Sequence, residues 1–165
     1  MAGNTPGVEI ERKFLVDIPK VREVLHWKTV VEEYDYIRQG YLLNGRFSLR
    51  LRTAIQRKRS RGILTVKGPG TRRRFELNFG MPVFLATWLL RLCPAVICKK
   101  RYNAGRWEID HFQNVTDPES GGELWEAEIE LERENETFEC PEWLGCEVTE
   151  DLRYTNAKLS ERVAR

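Results

Sequence analysis

The chain has little of what most catalytic centres are built from. Two histidines, His26 and His111, and four cysteines stand among 165 residues. Cys93, Cys98, Cys140 and Cys146 form no Cys-x-x-Cys pair, so a zinc centre is not expected and the thiols read as free. The two histidines read as structural or surface groups. No Ser-His-Asp arrangement is evident, and Gly68-Pro69-Gly70 fails the phosphate-binding loop pattern and reads as a turn. Long apolar runs are missing too. The longest, Val83 to Leu90 after Pro82, falls well short of the ~20 residues of a membrane span and reads as a core helix. The first residues carry neither a basic n-region nor an apolar h-region, so a cytoplasmic protein with no membrane partner is expected.

Charge of one sign is absent from long stretches. No acidic residue occurs from Tyr36 to Phe75, and from Asp117 to Asp151 the only basic residue is Arg133. The net charge of +2 conceals this segregation. It fits a molecule in which one half binds phosphates and the other binds metal, or one with two solvated faces that attract each other.

What is present is mostly β pattern. The length and a hydrophobic fraction of 41% suit one domain over residues 1–165, without repeats or a convincing linker. Asn44-Gly45, between Tyr36–Leu43 and Arg46–Thr53, predicts a two-residue type I′ hairpin. Further strands are expected at Ile63–Lys67, Arg73–Phe79, Val96–Tyr102, Arg106–Phe112, Glu123–Glu132 and Gly145–Thr149. Helices are expected at Pro19–Trp27, at Pro82–Leu92 and after Asp151. The fold class is mainly β with a few helices, with enough antiparallel strands to close a barrel.

Strand parity gives the charges a place. In Glu9-Ile10-Glu11-Arg12-Lys13-Phe14, the residues Glu9, Glu11 and Lys13 share one face, opposite Ile10 and Phe14. Two carboxylates beside an ammonium suit a divalent metal next to an anion. Arg50 pairs with Arg52, Lys67 with Thr65, Arg74 with Glu76, Lys99 with Arg101, Glu108 with Asp110, and Glu126 with Glu128 and Glu130. A half-buried sheet also alternates apolar with polar residues. Here the polar face is filled with charges, and acidic and basic pairs occupy different strands. Turned inward, such a face would form a polar tunnel, destabilised by self-repulsion unless metal, anion and water occupy it.

These motifs resemble the CYTH superfamily, the triphosphate tunnel metalloenzymes. Glu9-Ile10-Glu11-Arg12-Lys13 is similar to its Glu-x-Glu-x-Lys signature. The likeness continues through Arg38-Gln39-Gly40-Tyr41-Leu42, Leu49-Arg50-Leu51-Arg52, Leu64-Thr65-Val66-Lys67-Gly68, Lys99-Lys100-Arg101-Tyr102, Trp107-Glu108-Ile109-Asp110, Ala127-Glu128-Ile129-Glu130 and Arg153-Tyr154-Thr155-Asn156. The resemblance implies an eight-stranded antiparallel β-barrel forming a charged tunnel, a divalent cation (Mg²⁺ or Mn²⁺) and a small triphosphate-bearing substrate. Gln39-Gly40-Tyr41-Leu42 resembles the short bacterial inorganic triphosphatases of that family. Asn78 departs from it, standing where a second glutamate is common.

The site implied by the resemblance has Arg50, Arg52, Lys67, Arg74, Lys99 and Arg101 on the phosphates. Glu9, Glu11, Glu128 and Glu130 hold the metal, and Lys13 with Tyr41 orients or deprotonates the attacking water. Glu76, Glu108, Asp110 and Glu147 form a second tier, and Arg153 is placed to help close one tunnel end. The expected reaction is hydrolysis of tripolyphosphate by a monomer or homodimer. The alternatives are a class IV-type adenylate cyclase or another nucleoside or thiamine triphosphatase. A non-catalytic polyphosphate or nucleic-acid binder using Arg57–Arg61 is the alternative of another class. That basic run is short and lacks aromatics, so it reads as a solvated hairpin tip and nucleic acid is not the expected partner.

Overall fold

The computed structural model of the chain describes residues 7–27, 34–56, 59–70 and 72–163. Its strands are β1 (Gly7–Val16), β2 (Asp35–Asn44), β3 (Ser48–Gln56), β4 (Arg59–Lys67), β5 (Arg73–Met81), β6 (Val96–Ala104), β7 (Trp107–Thr116), β8 (Glu123–Glu130) and β9 (Leu144–Glu147). Their order is β5-β4-β3-β2-β6-β7-β8-β1-β9, and β5 also pairs with β1. That last pairing closes β1 to β8 into an eight-stranded antiparallel barrel with one extra strand. β1 makes the closure by dividing one edge: Gly7–Ile10 pair with β5, whereas Phe14 and Val16 pair with β9. Its other edge pairs Glu11–Leu15 with β8.

Alternation along each strand decides what enters the lumen. Ile10 and Phe14 face outward with Trp107, Ile109, Ala127 and Ile129, and are covered by Val21 and Leu25 of α1 (Ile18–Trp27). On the same outer wall Tyr102 and His111 both stack on Trp125, at ring distances of 6.1 and 4.1 Å. A second apolar cluster lies within the ring. Ile97, Phe112 and Leu124 share the parity of Lys99, Asp110 and Glu126, and meet Tyr154 and Leu159. Tyr154 belongs to a 3-10 turn, Leu152–Tyr154, and Leu159 to α3 (Asn156–Glu161). The C-terminal segment therefore fills one end of the barrel beside β6–β8.

Two local expectations need correction, and a third lies partly outside the described residues. The β2–β3 connection is not a two-residue type I′ turn: Asn44 pairs with Ser48, leaving Gly45, Arg46 and Phe47 as the loop. A bulge between Tyr41 and Leu43 shifts the register and lengthens the connection, and Gly45 is not among the glycines with positive φ. The apolar run forms α2 (Val83–Leu90), but it is no core helix. It lies on the outside of β3 and β4, burying Ala86 and Leu90 while Phe84 stays 74% and Trp88 57% exposed. Ala86 approaches Gly62 so closely that a Cβ there would come within 2.7 Å of the alanine methyl. A short helix seated through one small residue can cover little of its own surface. Last, Arg57 and Lys58 of the basic run lie outside the described residues; the register Gln56↔Arg59 places the run at the β3–β4 hairpin. No helix among the described residues is long and apolar enough to cross a membrane.

Gly40 has a packing reason. A Cβ there would stand 2.7 Å from Cys93 Cβ and 3.0 Å from the Ala95 carbonyl oxygen. Gly40→Ala is expected to destabilise the fold by about 1–3 kcal/mol, read as a lowered urea midpoint, with part of the loss restored by adding Cys93→Gly. His111 offers a second check. Burial lowers its pKa, Lys100 and Arg22 push the same way, and Glu123 opposes them. A histidine whose folded pKa lies below its unfolded value stabilises fully above the unfolded value, near 6.5, and less as pH falls through the folded one. His111→Phe keeps the stack on Trp125, and its thermal midpoint is expected to fall less than the wild type's between pH 8 and pH 5.5.

Candidate active site

Two chambers of about 330 and 300 Å³ open inside the barrel and share Glu11, Arg50, Lys67, Arg74 and Asn156 as lining. The first opens beside the Gly45–Phe47 and Gly68–Gly70 turns, the second beside Glu108 and Glu130. The closed ring brings the cations of β3–β6 across from the carboxylates of β1, β7 and β8.

At the β1–β5 wall, Arg74 donates to Glu11 at 2.7 Å and to Glu9 at 3.2 Å. Lys67 lies 2.5 Å from Glu76 and 3.6 Å from Glu9. Burial, then a hydrogen bond with Glu76, pushes Glu9 up to about 7, whereas Glu9, Lys67 and Arg50 hold Glu76 below the usual carboxylate range against its own burial. Burial and the neighbouring Arg50 and Arg74 bring Lys67 down to about 8. Asn78 shows what its departure from glutamate does. Its carbonyl accepts from Thr65 Oγ1 at 2.7 Å and its amide donates to Glu76 at 3.0 Å, a contact that a carboxylate would turn into repulsion.

On the opposite wall Arg101 joins three strands, donating to Asp110 on β7 at 2.6 and 2.7 Å, to Glu128 on β8 at 2.8 Å, and to Glu108 at the mouth. Lys99, fully buried, lies 2.5 Å from Asp110 and donates to Asn156 Oδ1 at 3.2 Å. Burial lowers Lys99 to about 8 despite Asp110. Lys13 lies between Glu128, at 2.9 Å, and Glu126, at 3.2 Å, and donates to the Tyr154 carbonyl at 3.3 Å. Burial would lower its pKa, but Glu126, Glu128 and Glu11 outweigh it, so Lys13 is held as an ammonium. Tyr41 lines the first chamber; burial raises its phenol although Arg50, Arg52 and Lys13 oppose that. Its register opposite Arg50, on the face of Gln39, sets its position.

Arg50 and Arg52 stand apart from this lattice. Arg50 reaches Glu76 only at 3.4 Å and Thr65 at 3.3 Å. Arg52 donates to Gln39 Oε1 at 3.3 Å and has no carboxylate partner among the described residues. Its Nε and that of Arg50 are buried without hydrogen bonds, and burial beside Arg50 and Arg101 lowers Arg52 to about 10. Such guanidiniums have donors left over for an anion.

Two second-tier residues stay outside the lumen. Glu147 on β9 binds Arg12 and Thr149. Arg153 is exposed, paired with Asp151 at 2.6 Å and Glu119 at 3.5 Å, so the barrel end is filled by Tyr154 and Leu159 rather than by Arg153. Conversely, Gln39, Glu126 and Asn156 face the charged groups and were not singled out as site residues. Glu126 was visible as the first member of the Glu126/Glu128/Glu130 series. Asn156 closes the motif Arg153-Tyr154-Thr155-Asn156 but carries no spacing signal of that kind; the fold of the C-terminal segment brings it to Lys99.

Among the described residues, no three carboxylate, imidazole or thiol groups converge as a ready metal cage. The donor chemistry nevertheless fits a hard cation. Glu11 and Glu130 are direct cross-strand partners, an arrangement of like charges that is destabilising without a cation between them. Arg74 answers Glu11, whereas the Glu130 carboxylate has no cation partner among the described residues.

The fold and this lumen define a charged β-barrel tunnel. The CYTH domain matches residues 7–164, and the chain belongs to that family. It is 36% identical over 161 residues to the inorganic triphosphatase of Acetivibrio thermocellus, covering 93% of each chain. To the inorganic triphosphatase of Nitrosomonas europaea it is 32% identical over 163 residues, covering 92% of this chain and 96% of that one. The crystal structure of the inorganic triphosphatase NE1496 superposes with a TM-score of 0.58 at 28% identity, covering 96% and 97% of the two chains.

Arg52 allows stability and binding to be separated. Arg52→Met removes a half-buried cation with no carboxylate in direct contact among the described residues, and is expected to raise stability by about 1 kcal/mol. The same variant is expected to bind tripolyphosphate at least about tenfold more weakly, measured by calorimetry beside a thermal melt.

Proposed function

We propose that the protein hydrolyses inorganic tripolyphosphate to pyrophosphate and phosphate with Mg²⁺ or Mn²⁺. The observation that carries this reading is the pair Arg50, buried, and Arg52, half-buried, whose Nε atoms lie out of solvent without hydrogen bonds, facing a wall of carboxylates. A multiply charged anion that brings its own cation is complementary to both sides at once. The triphosphatase relatives support the same chemistry.

In this reading Arg50, Arg52, Lys67, Arg74, Lys99 and Arg101 bind and orient the three phosphates, the guanidiniums by paired donors. Glu9, Glu11, Glu128 and Glu130 would hold the cation, which supplies charge neutralisation at the transferring phosphoryl group. Lys13 and Tyr41 orient the attacking water. The water oxygen bonds to a terminal phosphorus, the bond to the bridging oxygen breaks, and that oxygen leaves with pyrophosphate. The proton lost from water passes to phosphate or solvent. Glu76 and Asp110 hold Lys67, Arg101 and Lys99 in place, and Glu108 does the same for Arg101 from the mouth.

Phosphate release from tripolyphosphate, ATP, thiamine triphosphate and long-chain polyphosphate tests this. Turnover is expected to be highest on tripolyphosphate and lost on chelation, and Glu128→Gln is expected to lower it by about 10²-fold or more. Cyclic AMP from ATP would show a cyclase instead, and folded protein that binds triphosphate without cleaving it would show a binding module.

A further inference from the structure

Lys13 is held by two carboxylates, only one of which is a metal candidate. Glu128 lines the second chamber and also accepts from Arg101. Glu126 stands two residues away on the same face of β8, fully buried and lining neither chamber. Neither of its oxygens completes a hydrogen bond, and its one ion-pair partner among the described residues is Lys13, at 3.2 Å. A carboxylate taken out of water with so little in return is a costly residue for packing alone.

We propose that Glu126 is a positioning residue, the standing anchor that keeps the Lys13 ammonium at the triphosphate when Glu128 turns to the divalent cation. The inference rests on the triphosphatase reading above. With the lone pairs of Glu128 committed to a metal, Lys13 would, were Glu126 missing, keep only the Tyr154 carbonyl, on a flexible stem among the cations Arg50 and Arg74. Glu126 lines neither chamber from which a metal would be bound, and it has no other ion-pair partner among the described residues to release. Two carboxylates on one lysine thus divide the work: one is exchangeable and the other stays.

Lysine ammonium groups that are buried and ion-paired can be followed by ¹H–¹⁵N correlation spectroscopy, with the Lys13 resonance assigned by its loss in Lys13→Arg. The probes are Mg²⁺ alone and Mg²⁺ with imidotriphosphate, which resists hydrolysis. The resonance is expected to persist in wild-type protein throughout. In Glu126→Gln it should be present without ligand, because Glu128 holds Lys13, and should disappear once Mg²⁺ and imidotriphosphate are added. Kinetically, Glu126→Gln is expected to lower kcat on tripolyphosphate about 30-fold or more while KM stays within about threefold, and Glu126→Asp to recover part of kcat. Loss of the wild-type resonance on ligand addition would overturn the anchor even if no variant folds. Its survival in liganded Glu126→Gln, its loss in unliganded Glu126→Gln, or an unchanged kcat would overturn it as well. Wild-type protein that releases no phosphate overturns the triphosphatase reading instead, and the comparison with Mg²⁺ alone then decides the anchor.

Discussion

Charge balance inside a closed barrel is the constraint on which this structure depends. Ionised groups removed from water destabilise a fold unless opposite charges answer them at close range. The lumen meets that requirement by sharing: Arg74 serves Glu9 and Glu11, Lys67 serves Glu9 and Glu76, Lys13 serves Glu126 and Glu128, and Arg101 serves Glu108, Asp110 and Glu128. Most of these contacts tie neighbouring strands, and Lys67 to Glu9 and Arg101 to Glu128 reach one strand further, so the electrostatic lattice and the barrel wall are one object. An apolar interior of the same size would be the more stable choice. The cost is offset outside the ring, where Phe14, Trp107, Ile129 and Trp143 pack with α1, and at the filled end around Tyr154.

Because the lattice is assembled from opposite walls, it is uneven by construction. Cations outnumber carboxylates around Arg50 and Arg52, whereas the mouth near Glu130 has carboxylate to spare. A phosphate chain carrying a metal matches that unevenness, whereas a bare anion or a bare metal would satisfy only one side. Asn78 fits the same logic: an amide beside Glu76 supplies a donor where another negative charge would have tipped the balance.

Most of this was legible in the residues, for one physical reason. A period of two places alternate side chains on opposite faces, so the charged face of β1, β3, β7 and β8 followed directly from spacing, and closure only had to bring those faces together. What spacing does not encode is what crosses between elements. The bulge after Tyr41 moved the β2–β3 turn by a residue although Asn44-Gly45 is a strong local signal. The uncharged run of α2 looked like core because composition cannot show that its contact with β4 goes through Ala86 and Gly62. Glu147 and Arg153 carry the right charges but sit on segments whose registers point them at Arg12 and Asp151. Trp107, Trp125 and Trp143 are buried, whereas Trp88 on α2 is not.

The divided edge of β1 has a consequence for how the molecule comes into being. β2 to β5 and β6 to β8 are meanders of neighbouring strands that can zip locally, with β2 and β6 joining the two. β1 has no neighbour in sequence to pair with; its partners are β5, β8 and β9. β1 precedes all of its partners in the chain and is thus among the last strands able to dock, and it must search across many intervening residues, the kind of distant pairing that slows folding. Glu9, Glu11 and Lys13 ride on that strand. Closing the ring and completing the charged lumen are the same event, because β8 brings both the second edge for β1 and the carboxylates that answer Lys13.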